Sequence, residues 1–252
     1  MAPLFQRSAT GAWIPDPIVR GPFEGMQGGA VAALMCAQVE AAAATESWGF
    51  VSAVTAHFLK PVPLEPLTVV IEPLRRGKRV NVVDAQLSSA KGLCAVARAT
   101  LIAEAHDDRT PVPTPQHLDP QILPLRQRAA PHGGPWMMDA MQVRGGDDGI
   151  AWFRLQRPIV DGAGAMSAVL PAADWAHGIR PPLGAETRSL AAVPNPDVTV
   201  HLFRAARSDW IGVDSASAWS KQGIGVGWAD LHDVDGLIGR VAMSVAVSML
   251  AR

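Results

Sequence analysis

The sequence predicts an α+β fold built from two tandem copies of one unit, a buried helix wrapped by an antiparallel sheet. Three observations support this: a glycine-opened apolar helix near the start, short connections between the strands that follow it, and an internal repeat at an offset of 144 residues. The chain has 252 residues, which is enough for two ordinary domains with full cores.

The first helix is predicted over 28–47. A glycine cluster at 25–29 suits a turn or a helix start better than a helix interior. From Ala30 to Ala44 the chain is apolar on almost every side, which is typical of a helix buried on most of its faces. Gly49 is the expected C-terminal cap.

Four strands are predicted after this helix, because alternating and β-branched segments are separated by Pro- and Gly-containing turns. They span 51–59, 67–74, 79–87 and 93–102. Connections this short favour an antiparallel meander. The basic turn at 75–79 has two interpretations, a phosphate contact or a solvated hairpin tip, and the hairpin tip is the simpler one.

The repeat appears when the chain is shifted by 144 residues without gaps, so that 54–60 falls on 198–204. Strand and turn positions stay in phase: Val80 meets Ile224, Leu87 meets Leu231 and Gly92 meets Gly236. A duplicated domain explains this better than a solenoid, whose period is much shorter. The prediction is therefore one unit at 1–105, a Pro-rich linker at 106–134 and a second unit at 135–252.

The second unit is predicted to contain a weaker helix and five strands. The helix, at 165–177, is interrupted by Pro171. The strands are expected at 150–155, 198–204, 210–217, 223–231 and 237–247.

Charge and cysteine content limit the function classes. Lys plus Arg total 22 against 23 acidic residues, a net charge of −1 that gives no broad basic surface for nucleic acid or an anionic membrane. Cys36 and Cys94 are expected to be buried free thiols in a reducing compartment. The first residues lack the apolar core of a signal peptide, so a cytoplasmic location is expected.

Motifs for metal or cofactor chemistry are not found in the sequence. There is no close His/Cys/Asp/Glu spacing for a metal, no Gly-x-Ser-x-Gly elbow, and no dinucleotide or P-loop glycine pattern. We therefore expect neither a metal nor a cofactor.

Six segments, in this order, carry a family resemblance. They are QGGAVAAL at 27–34, HFLKPVP at 57–63, DWAHG at 174–178, NPDVTVHL at 195–202, GIGVG at 223–227 and GLIGR at 236–240. A glycine-opened helix wrapped by a meander resembles the hotdog fold, and two fused copies resemble the TesB-like double-hotdog acyl-CoA thioesterases.

The resemblance implies a tandem double hotdog that hydrolyses an acyl-CoA or related thioester through water, without a covalent enzyme intermediate. On the charge balance, neither a nucleic acid nor a membrane is expected as a partner, and a homodimer is compatible with this function. The alternative is an acyl-CoA or acyl-thioester binding protein that has lost hydrolysis.

Two groups of candidate residues follow. Gly28 and Gly29 lie where the main helix begins, so their N–H groups are natural donors to a thioester oxyanion, although they could simply pack the helix start. The resemblance places an acidic residue at the start of the second unit's wrapped strand, where Asp197 stands. A carboxylate there would orient or deprotonate water, but Asp after Asn-Pro is also a common turn residue.

The resemblance also implies a Ser or Thr on the next strand and a Gln on the last one. Ser217 is the first choice for the hydroxyl and Ser215 the second, since they share one strand face. Met243 stands where the Gln is expected, and a thioether neither donates nor strongly accepts a hydrogen bond. This departure is what keeps the binding-protein alternative open.

Asp174 and His177 have the spacing at which hotdog hydratases pair an Asp with a His. The simpler interpretation is that these two residues cap and decorate the second helix.

Overall fold

The computed structural model of the chain describes residues 1–127, 130–146, 149–182 and 191–249. Its helices are α1 (Gly28–Glu46), α2 (Ala165–Ala173) and α3 (Ala176–Ile179). The strands of the first half are β1 (Phe5–Arg7), β2 (Trp13–Pro15), β3 (Phe50–Phe58), β4 (Thr68–Arg75), β5 (Val80–Ser89) and β6 (Gly92–Ile102). Those that follow are β7 (Leu125–Arg126), β8 (Met141–Gly145), β9 (Ala151–Leu155), β10 (Ala191–Ala192), β11 (Asp197–Leu202), β12 (Trp210–Trp219), β13 (Ile224–Asp233), β14 (Gly236–Ala246) and β15 (Ser248–Met249).

Most of these strands form one 11-stranded antiparallel sheet in the order β4-β5-β6-β3-β11-β14-β13-β12-β9-β8-β7. The two halves of the chain meet at the β3–β11 pair, where Thr55 lies opposite Thr199 and their hydroxyl oxygens are 3.1 Å apart. Read outward from this pair, the first half gives β3-β6-β5-β4 and the second gives β11-β14-β13-β12. The same strand order thus occurs twice.

The internal repeat is confirmed in the strands. The bounds of β13 and β14 lie 144 residues after those of β5 and β6 at both ends. The described helices do not follow this register, because α1 shifted by 144 residues would begin at position 172, whereas α2 begins at Ala165. The 144-residue register is therefore preserved in the strands of the sheet and not in the described helices.

Helix α1 forms the core of the first half, as its composition predicts. Its buried residues lie on all sides of the helix, from Gly29 and Ala30 to Val39 and Ala43. Gln27 caps its start, since the side-chain Oε1 accepts from the N–H of Ala30 at 2.8 Å. By length and hydropathy α1 would also pass as a membrane-crossing helix, but 61% of the relevant window is buried inside the fold, as in the core helix of a globular protein.

The second helix is shorter than the predicted 165–177 and is followed by the separate turn α3. Helices α1 and α2 pack antiparallel, as the contacts at both ends show. The Glu40 carboxylate, late in α1, accepts from the N–H groups of Gly164, Met166 and Ser167 at the start of α2. At the other end, a Cβ built on Gly29 would lie 2.6 Å from the carbonyl oxygen of Leu170.

The segment predicted as a linker contacts the sheet at two places. The N–H of Gln116 and that of Leu118 donate to the carbonyls of Asp235 and Val234. Strand β7 then pairs with β8 at the sheet edge, and neither of these two strands was expected from the sequence. The division into 1–105, 106–134 and 135–252 stays a prediction.

Candidate active site

A cavity of about 410 Å³ lies beside the start of α1 and is walled by residues from both halves of the chain. Its apolar wall includes Met26, Val31, Phe58, Val62, Trp175 and Ala246. Its polar and charged wall includes Glu24, Gln27, Lys60, Asp174, His177 and Asn195. An apolar hollow with a few convergent polar groups is the usual form of a small-molecule site.

Asp174 is the buried carboxylate of this cavity. It is the C-terminal cap of α2, is only 4% exposed, and accepts a hydrogen bond from the Asn195 side-chain amide at 2.8 Å. Burial raises its pKa, while nearby His177 and hydrogen bonds from Asn195 and the Gly29 N–H act in the opposite direction. The result is a carboxylate that is fixed in place and binds a proton more readily than an exposed Asp.

The predicted oxyanion donors lie next to this carboxylate. A helix start leaves four N–H groups without an internal acceptor. At the start of α1, the N–H of Gln27 donates to the Val19 carbonyl, that of Ala30 to the Gln27 side chain and that of Gly29 to Asp174. Among the described residues this leaves the N–H of Gly28, a residue that lines the cavity, to meet a ligand.

Both glycines also allow close packing. A Cβ on Gly28 would lie 2.8 Å from the Phe58 ring, and one on Gly29 would lie 2.6 Å from the Asp174 Cβ. The helix start and the buried carboxylate therefore approach each other only because these positions lack side chains.

His177 is the second buried titratable side chain on the cavity wall. It is 7% exposed and its backbone sits on Gly227, where a Cβ would come within 2.7 Å of the His177 Cβ. Its Nδ1 lies 3.1 Å from the Met243 sulfur. Burial lowers the pKa of His177, and the Asp174 carboxylate together with the backbone carbonyls of Asp174 and Val193 opposes this shift.

Ser217 and Met243, both predicted as site residues, lie in one cross-strand row with Gly227 between them. The Ser217 hydroxyl donates to the carbonyl of Arg180 at 3.0 Å. Met243 is 2% exposed and is part of the core. Ser215 is also buried, and its hydroxyl has no hydrogen-bond partner within the described part of the chain. The row of Ser217, Gly227 and Met243 lies beneath α3, where Gly227 and Met243 pack against His177.

Asp197 lies outside this arrangement. It begins β11 opposite His57, and its Oδ1 accepts from the Ser244 N–H at 2.9 Å. The neighbouring Asn195 and Pro196 line the cavity, whereas Asp197 is not among its wall residues. The carboxylate therefore braces the end of the β11–β14 pair, and a catalytic role for Asp197 stays a prediction.

Sequence reasoning did not select Asp174, His177 or Asn195 as site residues. The three-residue spacing of Asp174 and His177 was the available signal, and helix capping is its simpler interpretation. Asp174 does cap the second helix, since it is the C-terminal cap of α2, and its carboxylate also accepts from the N–H of Gly29 at the start of α1 in the other half. Within the described ranges, no group of three or more His, Cys, Asp or Glu side chains is placed to hold a metal ion.

Comparison with known families fits this geometry. Residues 20–102 match the acyl-CoA thioesterase N-terminal domain, and residues 103–247 match the acyl-CoA thioesterase C-terminal domain. The chain belongs to the acyl-CoA thioesterase family. Hydrolysis of an acyl-CoA thioester is thereby supported, and the binding-protein alternative is not favoured.

Solved structures with a similar fold include two thioesterase relatives and one hotdog protein. A protein described as a candidate thioesterase II from Thermobifida fusca YX has a TM-score of 0.72 at 15% identity, covering 97% of this chain and 95% of its own. Acyl-CoA thioesterase II TesB2 from Mycobacterium marinum gives 0.71 at 16%, with 98% and 95% covered. A hot dog fold protein of unknown function from Alicyclobacillus acidocaldarius gives 0.69 at 15%, with 96% and 92% covered. The fold of this chain is therefore hotdog-like and α+β, as predicted. No curated protein sequence matches this chain significantly.

Proposed function

We propose that this acyl-CoA thioesterase hydrolyses its substrate in the α1 cavity, with Asp174 as the general base. The observation that carries the proposal is the buried Asp174 carboxylate, which faces the cavity beside the N-terminus of α1. A group that removes a proton from water and a donor for the developing oxyanion are the two requirements of thioester hydrolysis. Asp174 and the N–H of Gly28 supply them within one cavity.

The reaction proceeds in two steps. Asp174 takes a proton from a water molecule while the water oxygen bonds to the thioester carbonyl carbon, and the carbonyl oxygen gains negative charge beside the Gly28 N–H. The carbon–sulfur bond then breaks, the electron pair leaves with sulfur, and the proton on Asp174 passes to the thiolate. The products are a carboxylic acid and free CoA, and Asp174 is again a carboxylate.

The environment of Asp174 suits this role. A general base works best when its pKa lies near the working pH, and burial raises the pKa of Asp174 from the usual range of a carboxyl. The Asn195 amide and the Gly29 N–H hold the carboxylate on one side. Proton transfer therefore needs little rearrangement of the protein.

The cavity walls favour a substrate with an apolar acyl chain. Phe58, Trp175, Val31 and Met26 supply apolar surface, and the volume is near the lower end of the range for small-molecule sites. Lys60 lies on the same wall, with its Nζ donating to the carbonyl of Lys91 at 2.7 Å. This cation fits the anionic CoA part of the substrate.

The tandem arrangement of two hotdog units and the cellular location are part of the same proposal. The repeated strand order on either side of the β3–β11 pair supports two tandem hotdog units. Cys36 and Cys94 are both buried free thiols, which supports a reducing compartment such as the cytoplasm. The chain is proposed to act without nucleic acid or membrane, and a homodimer is compatible with this function.

The test compares two isosteric variants, Asp174→Asn and Asp197→Asn, on a panel of acyl-CoA thioesters with detection of the released thiol. Asp174→Asn is expected to lower kcat by about 10²-fold or more, because it removes a positioned proton acceptor. Asp197→Asn is the matched control and is expected to retain most of the turnover. Loss of activity in the Asp197 variant alone would move the general base to Asp197, as the sequence predicted.

A further inference from the structure

The cavity beside α1 has an open side and a closed side. Its exposed wall residues mark the open side and include Phe23, Glu24, Pro194 and Pro196. The charged nucleotide part of CoA stays on this side, because burying a charge without a partner is costly. The apolar acyl chain is therefore directed away from solvent, toward the closed side.

The closed side is formed by the buried apolar wall residues Met26, Val31 and Trp175. Met26 is a poor barrier, because a methionine side chain adapts its shape through three rotatable bonds. Trp175 is the largest of the three, and an indole is rigid with only two side-chain torsions. The length of chain that the cavity accepts therefore depends most on the position of the Trp175 ring.

The Trp175 indole extends from the turn between α2 and α3 toward the other wall of the cavity. Its ring meets that of Trp136 edge to face, with centroids 5.9 Å apart and an interplanar angle of 83°. Trp136 is followed by Met137, whose N–H donates to the Arg20 carbonyl. Arg20 in turn forms a β-bridge with Met26. The indole thus lies between the α2–α3 turn and the segment that carries Met26.

Trp136 forms a second layer behind Trp175. It is 4% exposed and is not among the wall residues of the cavity, whereas Trp175 is one of them. Among the described residues, neither indole Nε1 has a hydrogen-bond partner, and both are buried. Edge-to-face aromatic pairs attract each other beyond the effect of burial alone. Ring packing, rather than hydrogen bonding, therefore holds Trp175 in place.

We propose that Trp175 is the specificity-determining residue of this thioesterase: its indole, held by Trp136, ends the acyl pocket and restricts the substrate to short or compact acyl groups. This rests on the proposed function, in which the thioester carbonyl lies beside Asp174 and Gly28. The cavity volume of about 410 Å³ is near the lower end for small-molecule sites, so little room remains for the chain beyond the carbonyl. A smaller side chain at position 175 would extend the pocket as far as Trp136.

The first measurement is kcat/KM for acyl-CoA thioesters from acetyl to palmitoyl in the wild type, Trp175→Phe and Trp175→Leu. The wild type should prefer the short members. Because one methylene in an apolar pocket changes kcat/KM by about 10–200-fold, both variants should raise the ratio of long-chain to short-chain kcat/KM by about tenfold or more. Trp228→Leu is the matched control: Trp228 lies on β13, is 42% exposed and does not line the cavity, so the ratio should stay unchanged.

The second measurement is the Kd of S-alkyl-CoA thioethers of the same chain lengths, by calorimetry. Thioethers cannot be hydrolysed, so this readout needs no turnover, and the preferred length should move with the Trp175 variants in the same direction. A wild type that binds thioethers and cleaves no thioester would overturn the proposed function, and its Kd series would still test Trp175. Hydrolysis with a length preference unmoved in both Trp175 variants, or moved equally in Trp228→Leu, would overturn the inference alone.

Discussion

Glu40 and Asp174 cap each other's helices from opposite ends of the antiparallel α1–α2 pair. The Glu40 Oε1 accepts from the Met166 N–H at 2.7 Å at the start of α2, and Asp174 accepts from the Gly29 N–H at the start of α1. A carboxylate at a helix N-terminus pairs with free N–H groups and with the positive end of the helix dipole. Asp174 does this while also facing the cavity, so structural capping and the proposed chemistry use one side chain.

The first prediction concerns Glu40 and the pH dependence of stability. Burial raises the pKa of Glu40 from its usual value of 4.5, even though Ser167, Met166 and Gly164 donate to it. A raised pKa means that the folded state favours the protonated form. The stability contributed by this group is therefore present below pH 4.5 and is lost as the pH rises through the folded-state pKa.

Urea unfolding of the wild type and Glu40→Gln between pH 4 and pH 8 measures this effect. The difference between the two proteins isolates Glu40 from the other carboxyls. The unfolding free energy of the wild type should decline relative to that of the variant as the pH rises above 4.5. A difference that is constant with pH, or that changes in the other direction, would contradict the prediction.

The second prediction is that Gly29→Ala disturbs both the helix pair and the site. The new Cβ would lie 2.6 Å from the Asp174 Cβ and 2.6 Å from the Leu170 carbonyl oxygen, distances that require α2 to shift. Overpacking of this kind costs about 1–3 kcal/mol. The thermal midpoint should fall, and thioester turnover should fall with it because Asp174 is displaced.

Gly178→Ala is the matched control for that substitution. Gly178 lies in α3, and among the described residues outside its own helix turn nothing lies within 4 Å of the position that an added Cβ would take. An alanine at this half-buried helical position with open space around it is expected to be neutral or to stabilise by up to about 1 kcal/mol. If both alanine variants lost the same stability, close approach of α1 and α2 at Gly29 would not be the cause.

The third prediction concerns Met243→Gln. On the family resemblance, an amide at this position would raise turnover if the side chain lined the cleft. The structure instead places Met243 in the core at 2% exposure, against the His177 ring. Burying an amide there is expected to cost about 1–3 kcal/mol, with no gain in turnover.

Thermal midpoint and thioester turnover are measured on the same Met243→Gln variant, with Met243→Leu as the apolar control. A clear rise in turnover would show that an amide at 243 reaches the reacting atoms.

Local patterns in the sequence determined most of the secondary structure. The helix predicted at 28–47 is observed as Gly28–Glu46, and the strand predicted at 237–247 as Gly236–Ala246. Hydrophobic periodicity and turn glycines act over a few residues, so they can be read without knowing the fold. The short strands β7 and β8 were missed because they are added to an existing sheet edge, and their own sequence carries little strand signal.

The sequence by itself also determined the repeated strand positions, the family, and the place of Gly28 and Gly29 at the start of the buried helix. Only the tertiary structure decided which carboxylate faces that helix start. Asp174 lies about 145 positions from Gly29 in the chain, and it comes to the cavity because α2 packs antiparallel to α1. The Asn195 amide reaches Asp174 because the chain returns along the cavity just before β11. Contacts between distant segments depend on how helices pack and strands pair, so the family resemblance placed the acid at Asp197, whereas packing placed Asp174 in the cavity.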